Sequence, residues 1–230
     1  MSQEPLPSAT VVVLRAAEAG IEVLLLQRAA RPDAKKDPPW VFPGGKVDDA
    51  DRSGANDSET TVARRAAVRE LHEEAGLAID PESLLPFSRW VTPEISPKRF
   101  DTWFFVAELE VAQPVQVDGV EIGQHRWISA PEALAAKQRG EIDLAPPTFV
   151  TLVTVAAYAN CREARSGLAS GPFITFRPQV CRTERGPCML YPGDAGYAAR
   201  DPEREGSRHR LWALESGWRY ERDDEAMASL

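Results

Sequence analysis

Short apolar runs separated by turn residues mark the first part of the chain. The runs over residues 10–14 and 21–27 stand on either side of Ala19-Gly20 and predict two strands joined by a turn. Residues 102–111 and 126–128, rich in aromatic and β-branched side chains, predict two further strands. No run approaches the roughly 20 apolar residues that a membrane-spanning helix needs, so no membrane partner is expected.

Helical patterning appears in three segments. The first helix is predicted over residues 60–75, with Ser58 or Thr61 as its N-cap and Gly76 as a left-handed C-cap. Apolar residues at helical spacing predict two further helices, over residues 131–139 and 147–165.

After Ser166 the sequence pattern changes from helical spacing to short strands. Short strands bounded by glycine and proline turns are predicted over residues 173–182, 189–191, 210–215 and 218–221. They form either a β-rich appendage, which we favour, or an extension of the main sheet. We therefore expect a first domain over residues 1–168 and a β-rich extension over residues 169–230. The extension carries Trp212, Trp218 and Tyr220, and we expect it to form a homodimer interface or to cover the pocket.

The net charge of the chain restricts the classes of molecule that it is expected to bind. The formal net charge is −8 and the isoelectric point is about 5.1, which disfavours a nucleic-acid partner because such proteins carry a basic surface. An anionic small molecule stays compatible, since bound cations reverse the local field. Three cysteines without a CxxC pair indicate reduced thiols, and a cytoplasmic location is expected.

Three glutamates in the first predicted helix are the candidate chemistry. Glu70 and Glu74 lie one turn apart on the same helical face, and Glu73 flanks them. Such carboxylates repel one another unless a cation neutralises them, and Mg²⁺ prefers oxygen ligands. Arg69 stands four residues before Glu73 and can pair with it. Taken alone, the cluster also fits a solvated acidic helix face.

The surrounding residues favour the metal-binding alternative. Phe42-Pro43-Gly44-Gly45 precedes the helix, and the two glycines allow a close backbone approach. The segment from Arg69 to Leu77 resembles the second half of the Nudix box, Arg-Glu-aliphatic-x-Glu-Glu-x-Gly-aliphatic, at every specified position.

The first half of the box departs from the family pattern. The pattern places a glycine and a glutamate where this chain has Ala55 and Thr61, whereas Gly45 lies twenty-four residues before Arg69, ten more than the pattern has. An insertion of ten residues therefore interrupts the box. The candidates to replace the missing glutamate are Asp48, Asp49, Asp51 and Glu59.

The interrupted box is similar to one branch of the family, which contains a peroxisomal coenzyme A diphosphatase and its bacterial relatives. The resemblance implies an α/β fold, the Nudix-type α/β/α sandwich with a mixed sheet, here followed by the C-terminal β-rich extension. It implies a Mg²⁺-dependent hydrolase, with Mn²⁺ as a substitute, that cleaves a diphosphate linkage. The substrate would be a nucleotide-like small molecule such as coenzyme A or ADP-ribose.

The resemblance also assigns roles to residues. Glu70 and Glu74 would be metal ligands, Glu73 a ligand or the partner of Arg69, and Glu121 the carboxylate that family members add from a later loop. Apart from the resemblance, their positions predict substrate binding by the paired glycines and by two basic residues before a strand that could meet a phosphate. These residues are Gly44, Gly45, Lys98 and Arg99.

Three alternatives stay open at this point. A non-catalytic nucleotide-sensing domain would explain the missing box glutamate at Thr61. Such a domain would not need the three carboxylates of a metal-binding cluster, which this chain has. An isomerase would want a cysteine near the site, and the first is Cys161. An RNA-end hydrolase would want a basic tract, which this acidic chain lacks.

Overall fold

Two compact units make up the protein. The computed structural model describes residues 4–30, 36–54 and 56–228. The larger unit contains residues 7–87 and 102–171. The smaller unit contains residues 88–101, the segment after residue 171 and the described part of residues 1–6.

A hairpin opens the larger unit. Strand β1 (Leu6–Ala17) pairs antiparallel with β2 (Gly20–Arg28), in a register that ends at Ala17 opposite Gly20. Gly20 has a φ of 115°, a conformation that disfavours any residue with a side chain. The hairpin predicted from the first two apolar runs is therefore confirmed.

The main sheet is mixed, as predicted. Its order is β6-β2-β1-β5-β4-β7, and β3 pairs with β1. The pairs β1–β2, β1–β3 and β2–β6 are antiparallel, whereas β4 and β7 are parallel. The added strands are β3 (Gly44–Lys46), β4 (Leu85–Val91), β5 (Phe100–Glu108), β6 (Ile122–Ser129) and β7 (Ile174–Phe176).

Helix α1 (Glu59–Ala75) forms where the periodicity predicts a helix. The Ser58 side chain accepts a hydrogen bond from the Thr61 N–H, so Ser58 is the N-cap. Gly76 ends the helix with a φ of 68° and donates its N–H to the His72 carbonyl. The apolar face packs on the sheet, where Ala66 and Leu71 join one buried cluster with Val11, Leu24 and Phe105.

The single helix predicted over residues 147–165 is wrong. The chain forms α3 (Pro146–Val155) and α4 (Cys161–Ser170), because Asn160 caps a new helix by accepting the Glu163 N–H at 3.0 Å. The Tyr158 ring fills the space where a side chain at Gly167 would lie. The remaining helices are α2 (Ala130–Gln138) and α5 (Asp224–Ala228). Among the described residues, none of the helices is long and apolar enough to cross a membrane.

The predicted β-rich C-terminal extension is confirmed, with one strand boundary corrected. The run over residues 173–182 is two strands, broken at Arg177-Pro178, since proline cannot donate to a sheet. The first piece, β7, joins the main sheet. The rest forms a separate antiparallel sheet of order β11-β10-β9-β8, with β8 (Gln179–Thr183), β9 (Gly186–Leu190), β10 (His209–Leu214) and β11 (Gly217–Arg222).

All three cysteines are free and buried, as expected for reduced thiols. Cys181 and Cys188 stand directly opposite each other in the β8–β9 register. Burial raises the pKa of Cys188 to about 12. The thiolate that would react is therefore scarce at neutral pH.

A buried ion pair holds the core of the smaller unit. The Arg210 guanidinium donates to both carboxylate oxygens of Asp194 at 2.7 Å, and Asp194 also accepts the His209 N–H. The Arg210 side chain is 2% exposed and that of Asp194 is 0% exposed. Removing one partner of such a pair leaves an uncompensated buried charge, so each residue depends on the other.

His209 is a buried neutral histidine in this core. Its Nδ1 donates to the Pro192 carbonyl at 2.5 Å, and Nε2 accepts from the Tyr220 hydroxyl at 2.9 Å. Its ring also packs against Tyr191 and Phe176. Burial is the main cause that lowers the pKa of His209 to about 4, against the opposing effect of the Pro192 carbonyl and with a smaller contribution from Arg222.

We predict that His209 makes stability fall as the pH drops below about 6.5. The unfolded histidine takes up a proton near its ordinary pKa, whereas the folded one stays neutral until about pH 4. The free-energy difference between wild type and His209→Asn in urea unfolding should therefore shrink by about 2 kcal/mol from pH 7 to pH 5. The exposed His125→Asn variant is the control. A difference that stays constant over this range would contradict the prediction.

Candidate active site

Glu74 is the deepest carboxylate of the candidate site. It lies on α1, is 7% exposed, and accepts a hydrogen bond from the Gly44 N–H at 2.8 Å. Gly44 has a φ of 152°, and a Cβ there would collide with the Ala9 carbonyl on β1. Only glycine therefore allows β3 to bring this N–H to Glu74.

Glu70 lies one turn earlier on the same face. Its carboxylate occupies the space that a side chain at Gly45 would need. Arg69 donates to its Oε1 atom at 3.0 Å. The two glycines predicted as substrate-binding residues thus have an observed structural role, which is to admit the carboxylates of Glu70 and Glu74. Their contact with substrate stays a prediction.

The carboxylates of Glu70 and Glu74 have fewer cationic neighbours than their negative charge requires. The pKa of Glu74 is raised to about 7, mainly by burial and also by Glu70 and Glu121, against the opposing effects of the Gly44 N–H and Arg28. Burial also raises the pKa of Glu70, with Glu73 and Glu121 adding to the shift and Arg69 opposing it. Placing a cation beside these carboxylates would relieve the repulsion.

Glu73 faces a different partner. It is exposed and accepts a hydrogen bond from Arg69 at 3.0 Å, across one turn of α1. Of the two predicted roles, metal ligand or partner of Arg69, this geometry matches the second.

Glu121 lies in the turn before β6. The Asp118 carboxylate accepts the N–H groups of Val120, Glu121 and Ile122 and thereby orders the turn. The Glu121 side chain is exposed and forms an ion pair with Arg28 at 3.2 Å. Since its charge raises the pKa of both Glu70 and Glu74, it belongs to the same cluster.

Arg69 connects the cluster to the turn that precedes the insertion. Its guanidinium donates to both carboxylate oxygens of Asp51, at 3.1 and 3.0 Å, and to the Lys46 carbonyl at 2.9 Å. Asp51 is 4% exposed. Burial raises the pKa of Asp51, but the Arg69 hydrogen bonds and the Asp48 N–H outweigh it, so the pKa lies below its usual value.

The identity of Asp51 as the partner of Arg69 is the feature that sequence reasoning missed. Asp51 follows Gly45 by six residues, the spacing at which the box pattern has its first glutamate. The spacing from Gly45 therefore points to Asp51, whereas the spacing back from Arg69 points to Thr61 because the insertion lies between. Thr61 instead shares a 2.8 Å hydrogen bond with Ser58 in the helix cap, and Ala55 lies outside the described residues.

The insertion that follows Asp51 has its own anchor. Asp57 accepts the N–H groups of Ser53 and Gly54 and forms a 2.6 Å ion pair with Arg65 on α1. Arg65 lowers the pKa of Asp57 to about 2. The inserted residues therefore return to the helix without displacing Asp51.

Lys98 and Arg99 belong to the smaller unit. The Lys98 ammonium lies 5.2 Å from the centre of the Phe100 ring, and Arg99 Nε donates to the Thr92 carbonyl at 3.2 Å. Their predicted contact with a substrate phosphate stays a prediction.

The donor set fits a hard divalent cation with few protein ligands. In the described part of the chain, no three His, Cys, Asp or Glu residues are arranged as a ready metal cage. Mg²⁺ does not need one, because it commonly binds one or two carboxylates and completes its shell with water and phosphate. Glu70 and Glu74 supply such a pair, beside glycines that leave the approach open.

A family model described as the NUDIX domain matches residues 5–148, more than half of the chain. The chain belongs to the NUDIX domain family. The resemblance found in the box is thereby confirmed. Members of this family generally need divalent cations and act on small nucleotide-linked substrates.

A solved Nudix structure shares the fold. The NUDIX hydrolase from Alicyclobacillus acidocaldarius is 26% identical with a TM-score of 0.65, over 75% of this chain and 100% of that one.

Two curated relatives are similar over part of their length. Acyl-coenzyme A diphosphatase NUDT19 of Homo sapiens is 32% identical over 116 residues, which cover 48% of this chain and 31% of that protein. Phosphatase NudJ of Escherichia coli (strain K12) is 38% identical over 97 residues, which cover 42% of this chain and 56% of that protein. The matches thus span less than two thirds of either relative.

We predict that Asp51→Asn destabilises the Nudix chain by about 2–4 kcal/mol, because Arg69 loses a buried counter-charge. Urea unfolding at pH 7 measures the change, and Asp49→Asn, an exposed residue of the same turn, is the control. Equal unfolding free energies for the two variants would show that Arg69 does not depend on Asp51.

Proposed function

We propose that this Nudix chain is a Mg²⁺-dependent hydrolase that cleaves a diphosphate linkage in a nucleotide-linked small molecule. The observation that carries the proposal is the Glu70–Glu74 pair on α1. Both carboxylates are packed against glycines and have raised pKa values without a full set of cationic partners.

In this mechanism Glu70 and Glu74 hold the cation, with Mn²⁺ as an alternative to Mg²⁺. The cation supplies neutralisation of the diphosphate oxygens and activation of a water molecule. The Gly44 N–H fixes the Glu74 carboxylate, and Arg69 fixes that of Glu70, so both ligands are oriented before substrate arrives. Such preorganisation avoids reorganising the ligands during the reaction.

Glu121 is the proposed general base. Its carboxylate is exposed, and Arg28 at 3.2 Å limits its orientation. It would accept the proton of the attacking water, a task for which a carboxylate must lie within hydrogen-bond reach of that water. Glu73, bonded to Arg69, would act by holding the arginine rather than by touching substrate.

Coenzyme A and ADP-ribose are the proposed substrate classes. Curated relatives are named acyl-coenzyme A diphosphatase, and the branch with an interrupted box points the same way. Backbone groups of Gly44 and Gly45, together with Lys98 and Arg99, are the proposed phosphate contacts. A homodimer formed through the C-terminal extension also stays a proposal.

A nucleotide-sensing domain without turnover is the second candidate. It is favoured by one observation: the Glu73 carboxylate is bonded to Arg69.

We expect Glu74→Gln to lower kcat/KM by at least about 100-fold, which corresponds to about 3 kcal/mol of transition-state stabilisation. The assay is Mg²⁺-dependent hydrolysis of coenzyme A, an acyl-coenzyme A and ADP-ribose, with an EDTA blank. Glu18→Gln, an exposed glutamate in the turn after β1, is the matched control.

Full turnover by Glu74→Gln, or turnover that survives EDTA, would remove the proposed mechanism. Binding of these compounds without hydrolysis of any of them by the wild type would instead favour the sensing domain.

A methyl group at Gly45 tests the positioning of Glu70. Gly45→Ala places its Cβ on the Glu70 carboxylate, so we expect kcat to fall by about 10-fold or more while the chain stays folded. Gly54→Ala is the control, because the nearest atom to its Cβ would be 3.8 Å away. An unchanged kcat for Gly45→Ala would show that the position of Glu70 does not limit the reaction.

A further inference from the structure

The smaller unit contains a cavity where Arg99, one of the proposed substrate contacts, stands with two arginines to which the proposed hydrolysis gives no role. Its volume is about 150 Å³, and three arginines line it together with one glutamate and several neutral side chains. A site that encloses a drug-sized ligand has roughly 300–1,000 Å³. This cavity therefore suits one small chemical group. The charged lining residues are Glu94, Arg99, Arg177 and Arg200.

The charge of the cavity is opposite to that of the chain. Three guanidinium groups face one carboxylate, which leaves a formal charge of +2, whereas the whole chain carries −8. A concave surface of one sign raises the local concentration of counter-ions of the other sign. A dianion matches this balance.

Two of the three guanidinium groups are uncommitted. Within the described ranges, the side chains of Arg177 and Arg200 have no hydrogen-bond or ion-pair partner. By contrast, Arg210 of the same unit binds Asp194, and Arg89 binds Asp101 through two contacts of 2.5 and 2.8 Å. The cavity therefore brings together two arginines that have no such partner.

The backbones that carry these arginines are held in place. The Tyr197 hydroxyl donates to the Arg177 carbonyl at 2.8 Å, and the backbone carbonyl of Tyr197 accepts the Arg200 N–H at 3.3 Å. Arg200 has a φ of 53°, the only positive value of a residue other than glycine in the described part of the chain. Tyr197, itself a lining residue, therefore connects both arginines at the cavity wall.

We propose that this cavity binds a phosphate group, either as the free ion or as the monoester of a larger metabolite. Guanidinium groups bind phosphate through paired N–H donors, and two unengaged forks beside Arg99 supply more donors than one carboxylate could use. The Thr92 hydroxyl accepts the Phe100 N–H, which leaves its own hydrogen to donate to the ligand. The proposal does not depend on the hydrolase reaction.

Isothermal titration of the full chain with inorganic phosphate tests the proposal. Divalent cations are omitted and the ionic strength is held constant with chloride, so that the α1 carboxylates do not contribute. We expect saturable binding near one site per chain, weakened at least tenfold in Arg177→Gln and in Arg200→Gln. Arg182→Gln, an exposed arginine on β8 outside the cavity, should bind as the wild type does.

Two further ligands identify the source of the phosphate group. Tighter binding of phenyl phosphate than of inorganic phosphate would indicate the monoester of a larger molecule, and the reverse order would indicate the free ion. Acetate binding as tight as phosphate binding would overturn the proposed ligand class. So would the absence of saturable binding for both phosphates, or equal affinities in wild type and both arginine variants.

Arg177 and Arg200 are exposed, so neither single substitution should unfold the protein. Matching urea unfolding curves establish this, and one folded variant is enough to decide the outcome. Because the titration measures binding without turnover, its result is independent of whether the chain hydrolyses a diphosphate.

Discussion

The hydrogen bonds of the Arg69 guanidinium are the interaction on which the candidate site depends. This group binds the Asp51 carboxylate, the Lys46 carbonyl and the side chains of Glu70 and Glu73. It therefore connects helix α1 to the end of β3 and to the turn that follows. The glycines of β3 can meet the carboxylates of α1 only if these elements keep their spacing, so the geometry of the cluster follows from the contacts of one half-buried arginine.

The same connection explains how a Nudix box tolerates ten additional residues. Asp51 completes the contact with Arg69 before the insertion begins, and the Asp57–Arg65 ion pair returns the chain to α1 after it. Lengthening a loop costs little closure entropy, since the cost rises only with the logarithm of its length. The helix and β3 are therefore unaffected by what lies between them.

Local signals were enough to predict much of the fold. Helix α1 carried both caps and a continuous apolar face, and the first hairpin had its glycine turn. Strand β4 was missed because Pro86 and Arg89 interrupt its apolar run, and the ion pair of Arg89 with Asp101 joins it to another strand. The break between α3 and α4 was missed although the Asn160 cap that starts α4 is local, because continuous apolar spacing masks it. Asp51 stayed one of four acidic candidates because the inserted residues hide its spacing from Arg69, with which it pairs across eighteen residues.

Three sets of charged side chains in this protein differ in how far they are paired with groups of opposite charge. This difference separates structural groups from candidate binding sites. Arg210 and Asp194 are buried as a pair with every short contact satisfied, which stabilises the smaller unit and leaves nothing for a ligand. Glu74 is buried and Glu70 half-buried, with too few cations beside them, so the folded chain retains a repulsion that a divalent ion would relieve. Arg177 and Arg200 are exposed at a cavity that has one carboxylate for three guanidinium groups. Folding alone favours charges that are paired, so a ligand of opposite charge can gain binding energy at the two unpaired sets. The glutamate pair would bind a cation, and the arginine pair would bind an anion.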